Sequence, residues 1–122
     1  MARFNMNAIS EPINVLAVVL KKLDKYIVDF LDEYYDDYSI ETGCTSQLKP
    51  FYYNRFIPLL SKPNQDVKHF GLMLKQLIEW VSCAVGEATG DYYFYFEDAA
   101  GTGSLKLVNE LLSQHGAPTL HV

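Results

Sequence analysis

This 122-residue chain has few cysteines and few basic residues: two cysteines, and ten lysines and arginines. Two cysteines are too few for a disulfide framework, and their spacing does not match that of metal ligands. We therefore expect Cys83, inside a helical pattern, to pack as a small apolar residue in a reducing compartment. Fifteen acidic residues outnumber the scattered lysines and arginines, giving a net charge of −5. Because phosphate groups are neutralised by clustered basic residues, we predict no direct contact with nucleic acid or with an anionic membrane.

Long hydrophobic runs are also lacking. The longest, at positions 13–20, is interrupted by Asn14 and is too short to span a bilayer. It lacks the flanking pattern of a signal peptide, so the sequence predicts a cytoplasmic protein. Hydrophobic residues nevertheless make up 49% of the chain, which excludes intrinsic disorder. The length is that of one domain, which we predict to span residues 1–122.

No motif of a known reaction occurs in the chain. The Gly-x-Ser-x-Gly elbow is absent, and the glycine-containing stretch at 100–104 lacks the Lys-Ser/Thr ending of a P-loop. His115 has a structural explanation, because a cation near a helix C-terminus complements the helix dipole. We therefore predict a protein that is not an enzyme and that needs no cofactor or metal.

A metal-dependent helical hydrolase is the alternative that the carboxylates leave open. Four of them lie close together on one predicted helix, and acids on two other helices could join them to hold magnesium or a di-metal centre. The residues concerned are Asp29, Glu33, Asp36, Asp37, Glu79 and Glu110. The Glu-x-x-His pair of di-iron bundles is absent, and only one helix supplies an acidic cluster.

Helical periodicity is the clearest structural signal. Serine, acid and proline at positions 10–12 are typical of a helix start, and apolar residues then recur at steps of three and four as far as Tyr34. This pattern predicts one continuous helix from there to residues 35–38. The same rhythm predicts a second long helix from Gln65 to Val85 with Gly86 as its end. Two long helices with matching apolar stripes are natural antiparallel partners.

The remaining segments are shorter. Positions 42–46 are predicted to form a loop, 51–60 a short helix that ends or kinks near Pro58, and the last helix to be capped by Ser104 and ended by Gly116. The aromatic stretch at 92–96 favours a strand but has no convincing partner, so it forms either half of a hairpin or an irregular helix. The predicted fold is mainly α: an irregular four-helix bundle with a small β element near residues 92–96 as an option.

The most informative segment for function is 30–41, which reads FLDEYYDDYSIE. It gathers acids around tyrosines, and no lysine or arginine lies between Lys25 and Lys49 to neutralise them. Adjacent Tyr34 and Tyr35 cannot both point inward on a helix, so we expect at least one ring at the surface. A second segment, 91–98, repeats the same chemistry. The predicted binding residues are Asp32, Glu33, Tyr34, Tyr35, Asp36, Asp37, Tyr38, Glu41, Asp91, Tyr93, Tyr95, Glu97 and Asp98.

An acidic surface with tyrosines suits a basic protein partner, because charge steers the encounter and rigid aromatic rings anchor it. In composition, segment 30–41 resembles the small acidic immunity proteins with which bacteria neutralise nuclease toxins. Members of that class are short, single-domain and often helical, and some carry paired tyrosines among acids as binding anchors. The resemblance implies an inhibitor that blocks the cleft of a basic toxin. At this chain length we expect the apolar stripes to be buried within a monomer when the protein is free. A phage-encoded inhibitor of a host defence system, which imitates nucleic-acid charge, is the alternative within the same class.

Overall fold

The computed structural model describes residues 11–35, 43–62, 66–91 and 94–121 of the chain. The described residues are mainly helical and contain no strand, so the mainly α prediction is confirmed. The helical segments are α1 (Glu11–Asn14), α2 (Ala17–Tyr34), α3 (Cys44–Phe51), a π-helical turn (Tyr52–Phe56), α4 (Ile57–Leu60), α5 (Val67–Thr89), α6 (Phe96–Ala100) and α7 (Ser104–Gln114). None of these helices combines the length and the apolar character that crossing a bilayer requires.

The first long helix is interrupted, whereas the apolar stripe predicts it to be continuous. α1 ends at Asn14, and α2 begins after a turn in which the Leu16 N–H donates to the Ile13 carbonyl at 2.8 Å. A bond over three residues tightens the chain and aligns side chains three positions apart. Ile13 and Leu16 are accordingly both fully buried. The three-four spacing of apolar residues therefore survives a local break in the helix, which is why the pattern did not reveal it.

The segment from α3 to α4 is helical despite two internal prolines. Pro50 lies inside α3, and Pro58 follows the π-helical turn. In that turn the Ile57 N–H donates to the carbonyl of Tyr52, five residues back. In a regular α-helix the ring of Pro58 would clash with the carbonyl of Asn54, and a wider turn relieves this crowding. The predicted irregularity near Pro58 is thus present, but it lies before the proline and does not end the helix.

α5 is the longest helix and runs past its predicted end. Gly86 is buried within α5, and the chain instead leaves the helix at Gly90, whose φ of 79° is left-handed. The Gly90 N–H donates to the Gly86 carbonyl at 2.9 Å. At the other end the Asp66 side chain accepts from the Lys68 N–H at 2.9 Å and caps the helix. A glycine does end α5, as the sequence predicts, but it is Gly90 and not the predicted Gly86.

α3 lies beside α5, and a disulfide bond between Cys44 and Cys83 joins the two helices. The Cα atoms of the pair are 5.7 Å apart, within the usual range of about 4.4–6.8 Å for a disulfide. The expectation that Cys83 packs as a free thiol is therefore wrong. The loop predicted at 42–46 is also wrong over 44–46, because these residues form the first turn of α3.

Aromatic rings run through the core where these helices meet. The rings of Tyr52 and Phe56 are stacked with centroids 5.9 Å apart, and Phe56 is 6.2 Å from Phe70 of α5. Tyr52 is only 2% exposed, and its hydroxyl donates to the Asp24 carboxylate on α2. This hydrogen bond satisfies the polar atom of an otherwise apolar ring and connects the π-helical turn to α2.

The possible β element at 92–96 is not found among the described residues. Phe94 and Tyr95 form a connection after Gly90, and Phe96 is the first residue of α6. Residues 92 and 93 lie outside the described part of the chain. α6 packs against α2 and precedes α7, whose own end at Gly116 has the predicted left-handed glycine, with φ 68°.

Candidate protein-binding site

The first predicted binding segment begins in the last two turns of α2. Asp32 and Glu33 are exposed there, and Asp29 is exposed one turn earlier. Tyr34 is the last residue of α2, and Tyr35 is its C-cap. We call these five residues the acidic end of α2. They place three carboxylates and two phenol rings at the terminus of one helix.

α2 carries its charges in the reverse of the order that the helix dipole favours. Its first half bears three lysines, at positions 21, 22 and 25, and a single acid, Asp24, whereas three carboxylates and no lysine stand in its last two turns. Backbone carbonyls give a helix C-terminus a partial negative charge, so anionic side chains there are repelled and cationic ones attracted. This arrangement destabilises the isolated helix, and an external cation at the acidic end would offset the cost.

The carboxylates of the acidic end are only partly neutralised. Asp29 forms an ion pair with Lys25, with Nζ and Oδ2 2.6 Å apart. Asp29 and Glu33 are four residues apart, so their charges repel each other across one helical turn. Neither Asp32 nor Glu33 makes an ion pair with any residue in the described ranges. Two exposed carboxylates therefore remain for a partner.

The tyrosines of the acidic end are half-buried, so both rings are partly accessible. The Tyr34 ring packs on Phe30, with centroids 5.0 Å apart. The Lys49 ammonium lies over the Tyr35 ring, with its Nζ 4.1 Å from the ring centroid. Such cation–π contacts are worth about 0.5–2 kcal/mol. Lys49 comes from α3, so the fold supplies a basic group to a segment that has none nearby in sequence.

A groove of about 280 Å³ lies between the acidic end of α2 and the last turns of α5. Three aromatic residues, two acids and a threonine contribute to its lining: Tyr26, Phe30, Tyr34, Asp29, Glu33 and Thr89. Burial raises the pKa of the Tyr26 phenol, and the nearby Tyr34, when ionised, raises it further. The Tyr26 hydroxyl is therefore neutral at physiological pH and can donate or accept a hydrogen bond.

The second predicted binding segment starts beside this groove. Asp91 is exposed, and its N–H donates to the Thr89 hydroxyl at 3.2 Å. Further along, Phe94 packs against Tyr26 of α2, with ring centroids 5.3 Å apart. The structure thus brings Asp91 near the acidic end of α2, as a shared binding surface requires.

The rest of the second segment runs towards the lysine-bearing half of α2. Tyr95 is 53% exposed and Asp98 is exposed. Beyond α6, Gly101 approaches Lys22 so closely that an added Cβ would lie 2.9 Å from the lysine Nζ. A surface that joined the two segments along α6 would therefore include lysines as well as carboxylates.

Glu97 has a structural use that the sequence did not reveal. Its carboxylate accepts from the backbone N–H of Gly103 at 2.6 Å, from the backbone N–H of Leu105, and from the Ser104 hydroxyl at 3.1 Å. The N–H groups of Gly103 and Leu105 lie at the start of α7, where backbone amides have no partner within the helix. A side chain of α6 therefore caps the next helix. Ser104, predicted to be the cap, is the first residue of α7 and donates to Gly101. The Leu105 N–H bond is the main reason why the pKa of Glu97 lies below its usual value of 4.5. Desolvation, the next largest effect, raises the pKa, and the bonds from Ser104 and Gly103 lower it again.

Replacing Glu97 with Gln should lower the urea midpoint of unfolding at neutral pH and have little effect in acid. The folded protein holds this carboxylate at a pKa below the unfolded value of 4.5, so its contribution is fully present above 4.5. It is lost as the pH falls through the folded pKa. Urea unfolding of both proteins from neutral to acid pH measures the difference. Glu110→Gln, an exposed change within α7, is the control, and a difference between parent and Glu97→Gln that did not change with pH would contradict the capping role.

The carboxylates of the metal hypothesis do not meet in one cluster within the described part of the chain. The metal-ligand side chains that lie within 4.8 Å of one another there are Cys44, Cys83 and Glu87. The two cysteines are joined in the disulfide, and the Glu87 carboxylate accepts from the Cys44 backbone N–H at the start of α3. Within the described part of the chain, the carboxylates of Asp29 and Glu33 do not form a metal-ligand cluster with those of Glu79 or Glu110.

Five of the predicted binding residues, Asp36, Asp37, Tyr38, Glu41 and Tyr93, lie outside the described ranges. Of the others, the structure groups Asp32, Glu33, Tyr34 and Tyr35 at the acidic end of α2, with Asp91 nearby. Sequence reasoning missed Tyr26 and Thr89 of the groove and the contact of Lys49, because these residues are distant from the acidic segment in the chain.

Comparison with protein-family models, with curated proteins and with solved structures found no match to this chain.

Proposed function

We propose that this protein is a non-enzymatic inhibitor that binds a basic protein and blocks its cleft, as an immunity or antitoxin protein does to a toxin such as a nuclease. The observation that carries the proposal is the acidic end of α2. Exposed carboxylates that make no ion pair with a described residue stand there on the negative terminus of a helix, next to partly exposed tyrosine rings. A cationic protein surface would relieve the repulsion among them.

The distribution of charge and rings supports a protein partner. Clustered acids accelerate the encounter with a basic surface, and tyrosines at the same place supply contact area with little loss of side-chain entropy. Basic residues form no cluster comparable with those of nucleic-acid-binding proteins, so the proposed partner is a protein and the complex does not involve direct nucleic-acid contact. We propose a monomeric inhibitor before binding.

An anti-defence role is the second candidate within the same class, since a phage inhibitor would use the same surface against a host nuclease. A metal-dependent hydrolase is the remaining alternative. Thermal unfolding with added divalent metal and with nucleotides separates the classes, because a ligand that binds the folded state raises the melting temperature. An inhibitor should show no shift with either.

Co-purification of the tagged protein from its native host should recover a basic partner in a way that depends on the acidic end. Exchanging two carboxylates for amides (Asp32→Asn with Glu33→Gln) should slow association about three- to tenfold and reduce its dependence on salt. The purified partner should lose its activity when an equimolar amount of the parent protein is added. Surface plasmon resonance over a range of ionic strength measures the rates.

The matched control is the double change Glu79→Gln with Glu110→Gln. Both residues are exposed, on α5 and α7, and the change in net charge is the same. This control should bind as the parent does. If the variant at the acidic end bound the recovered protein with unchanged rates, or if the recovered protein were acidic, the proposed function would be wrong.

A further inference from the structure

The groove between α2 and α5 has the chemistry of a receptor for one cationic side chain. Aromatic rings from Tyr26, Phe30 and Tyr34 contribute to its lining, and the carboxylates of Asp29 and Glu33 stand at its exposed side. Rings attract a cation through their negative faces, and carboxylates attract it by charge. Both kinds of group are needed to hold a guanidinium or an ammonium group that is partly withdrawn from water.

Two helix termini add to this negative potential. The groove is bounded by the last two turns of α2 and by Val85 and Thr89 in the last turns of α5. The C-terminal ends of both helices therefore face the same space, and each carries a partial negative charge on its carbonyl groups. Neither helix has a basic residue in its last turn to offset that charge.

The volume of the groove restricts what it can hold. At about 280 Å³ it is slightly smaller than the pockets of roughly 300–1,000 Å³ that bury drug-sized ligands. It therefore suits one long side chain better than a cofactor or nucleotide. An extended side chain could lay its methylene groups along the rings while its charged end reaches Glu33.

The protein's own lysines already occupy similar positions near the groove. Lys25 lies 2.6 Å from Asp29 at the exposed side, and Lys49 stands over the ring of Tyr35 at the end of the same helix. The Lys25 side chain is 78% exposed and that of Asp29 62%. Such an exposed pair is weak, and Asp29 can exchange its partner at little cost. Glu33 makes no ion pair with a described residue.

We propose that this groove receives a single arginine side chain of the basic partner. The inference rests on the proposed function and specifies how the partner is anchored. Arginine is favoured over lysine because its planar guanidinium stacks on aromatic rings and presents several donors to carboxylates at once. The stack would form on the rings of the groove, and Glu33 would accept the hydrogen bonds.

Argininamide in solution tests the groove without the partner. We expect saturable shifts of the aromatic NMR signals of Tyr26, Phe30 and Tyr34 on titration, with no shift of the buried Phe70 ring. Citrullinamide has nearly the same shape and the same α-amino group but lacks the guanidinium charge, so it should give no saturable shift, and lysinamide should bind more weakly than argininamide. Added salt should weaken the argininamide response.

Substitution at the groove provides the matched comparison. Glu33→Gln should weaken argininamide binding about two- to fivefold, whereas Glu79→Gln, an exposed change elsewhere on α5, should leave it unchanged. Equal responses to citrullinamide or lysinamide, or equal effects of the two substitutions, would overturn the arginine site.

The failure of this inference is distinguishable from failure of the proposed function. If the complex with the co-purified partner is weakened by the Asp32 and Glu33 substitutions while argininamide leaves the groove signals unchanged, only the arginine site is wrong. If argininamide binds the groove but the partner binds the substituted protein as tightly as the parent, the proposed inhibitor surface is wrong. The groove then remains a guanidinium site.

Discussion

Reduction of the Cys44–Cys83 disulfide is expected to lower the free energy of unfolding by about 4 kcal/mol. The two cysteines are 39 residues apart in sequence, so the bond closes a long loop and restricts the unfolded chain. It also joins α3 directly to α5, which lie side by side. Urea unfolding of the oxidised protein and of the protein kept in excess reductant measures the difference.

A double substitution, Cys44→Ser with Cys83→Ser, separates the bond from other effects of the reductant. This variant should be as unstable as the reduced parent and should not respond to reductant. The oxidised parent should titrate with no free thiol under denaturing conditions. Equal midpoints for oxidised and reduced parent would show that the link contributes nothing to stability.

The disulfide also bears on where the protein acts. Disulfide bonds persist in oxidising compartments and are rare in the cytosol of most organisms. The sequence predicts a cytoplasmic location, which stays a prediction, and the disulfide bond between α3 and α5 argues against it. Thiol labelling of the protein in intact cells, before lysis, would report the state of the two cysteines directly.

Substitution of Gly71 by Val should destabilise the protein by about 3 kcal/mol, at the upper end of the usual cost of overpacking a core. Gly71 lies where α5 meets α7, and a Cβ atom there would be 2.8 Å from Leu112 Cδ2 and 3.4 Å from Ala117 Cβ. Leu112 is fully buried, so its side chain can move away only by displacing other residues of the core. The two further methyl groups of valine add to the overlap.

The control for this change is Gln76→Val, at an exposed position of the same helix. It introduces the same β-branched side chain without a close neighbour, so only the modest loss of helix propensity, less than about 1 kcal/mol, is expected. Thermal and urea unfolding compare the two. If both valine variants were equally stable, the contact between α5 and α7 would be looser than the structure indicates.

The helical fold could be predicted from the sequence because apolar spacing reports the buried face of each helix. What spacing could not report was the local hydrogen bonding. The break after Asn14 keeps the stripe intact, and the π-helical turn before Pro58 lets a proline stay in a helix. Gly86 and Gly90 are both plausible ends for α5. The choice between them depends on burial, since Gly86 lies within the packed part of α5.

The candidate site was predictable only where it is contiguous in the chain. The acidic end of α2 was visible because its acids and tyrosines are consecutive. The groove needed Thr89 from α5, and the contact of Tyr35 with Lys49 needed α3, so neither followed from local pattern. Glu97 showed the opposite error: its charge suggested binding, whereas tertiary structure uses it to cap α7.

The reversed charge order of α2 has a consequence for the geometry of encounter. Its lysine-bearing half and its acidic end are about 15 Å apart along the helix axis, at 1.5 Å per residue over ten residues. A positive surface would pull on one end and push on the other, which is a torque as well as an attraction. The molecule would rotate before it touches, so that collisions reach the correct face more often than the net charge of −5 alone provides.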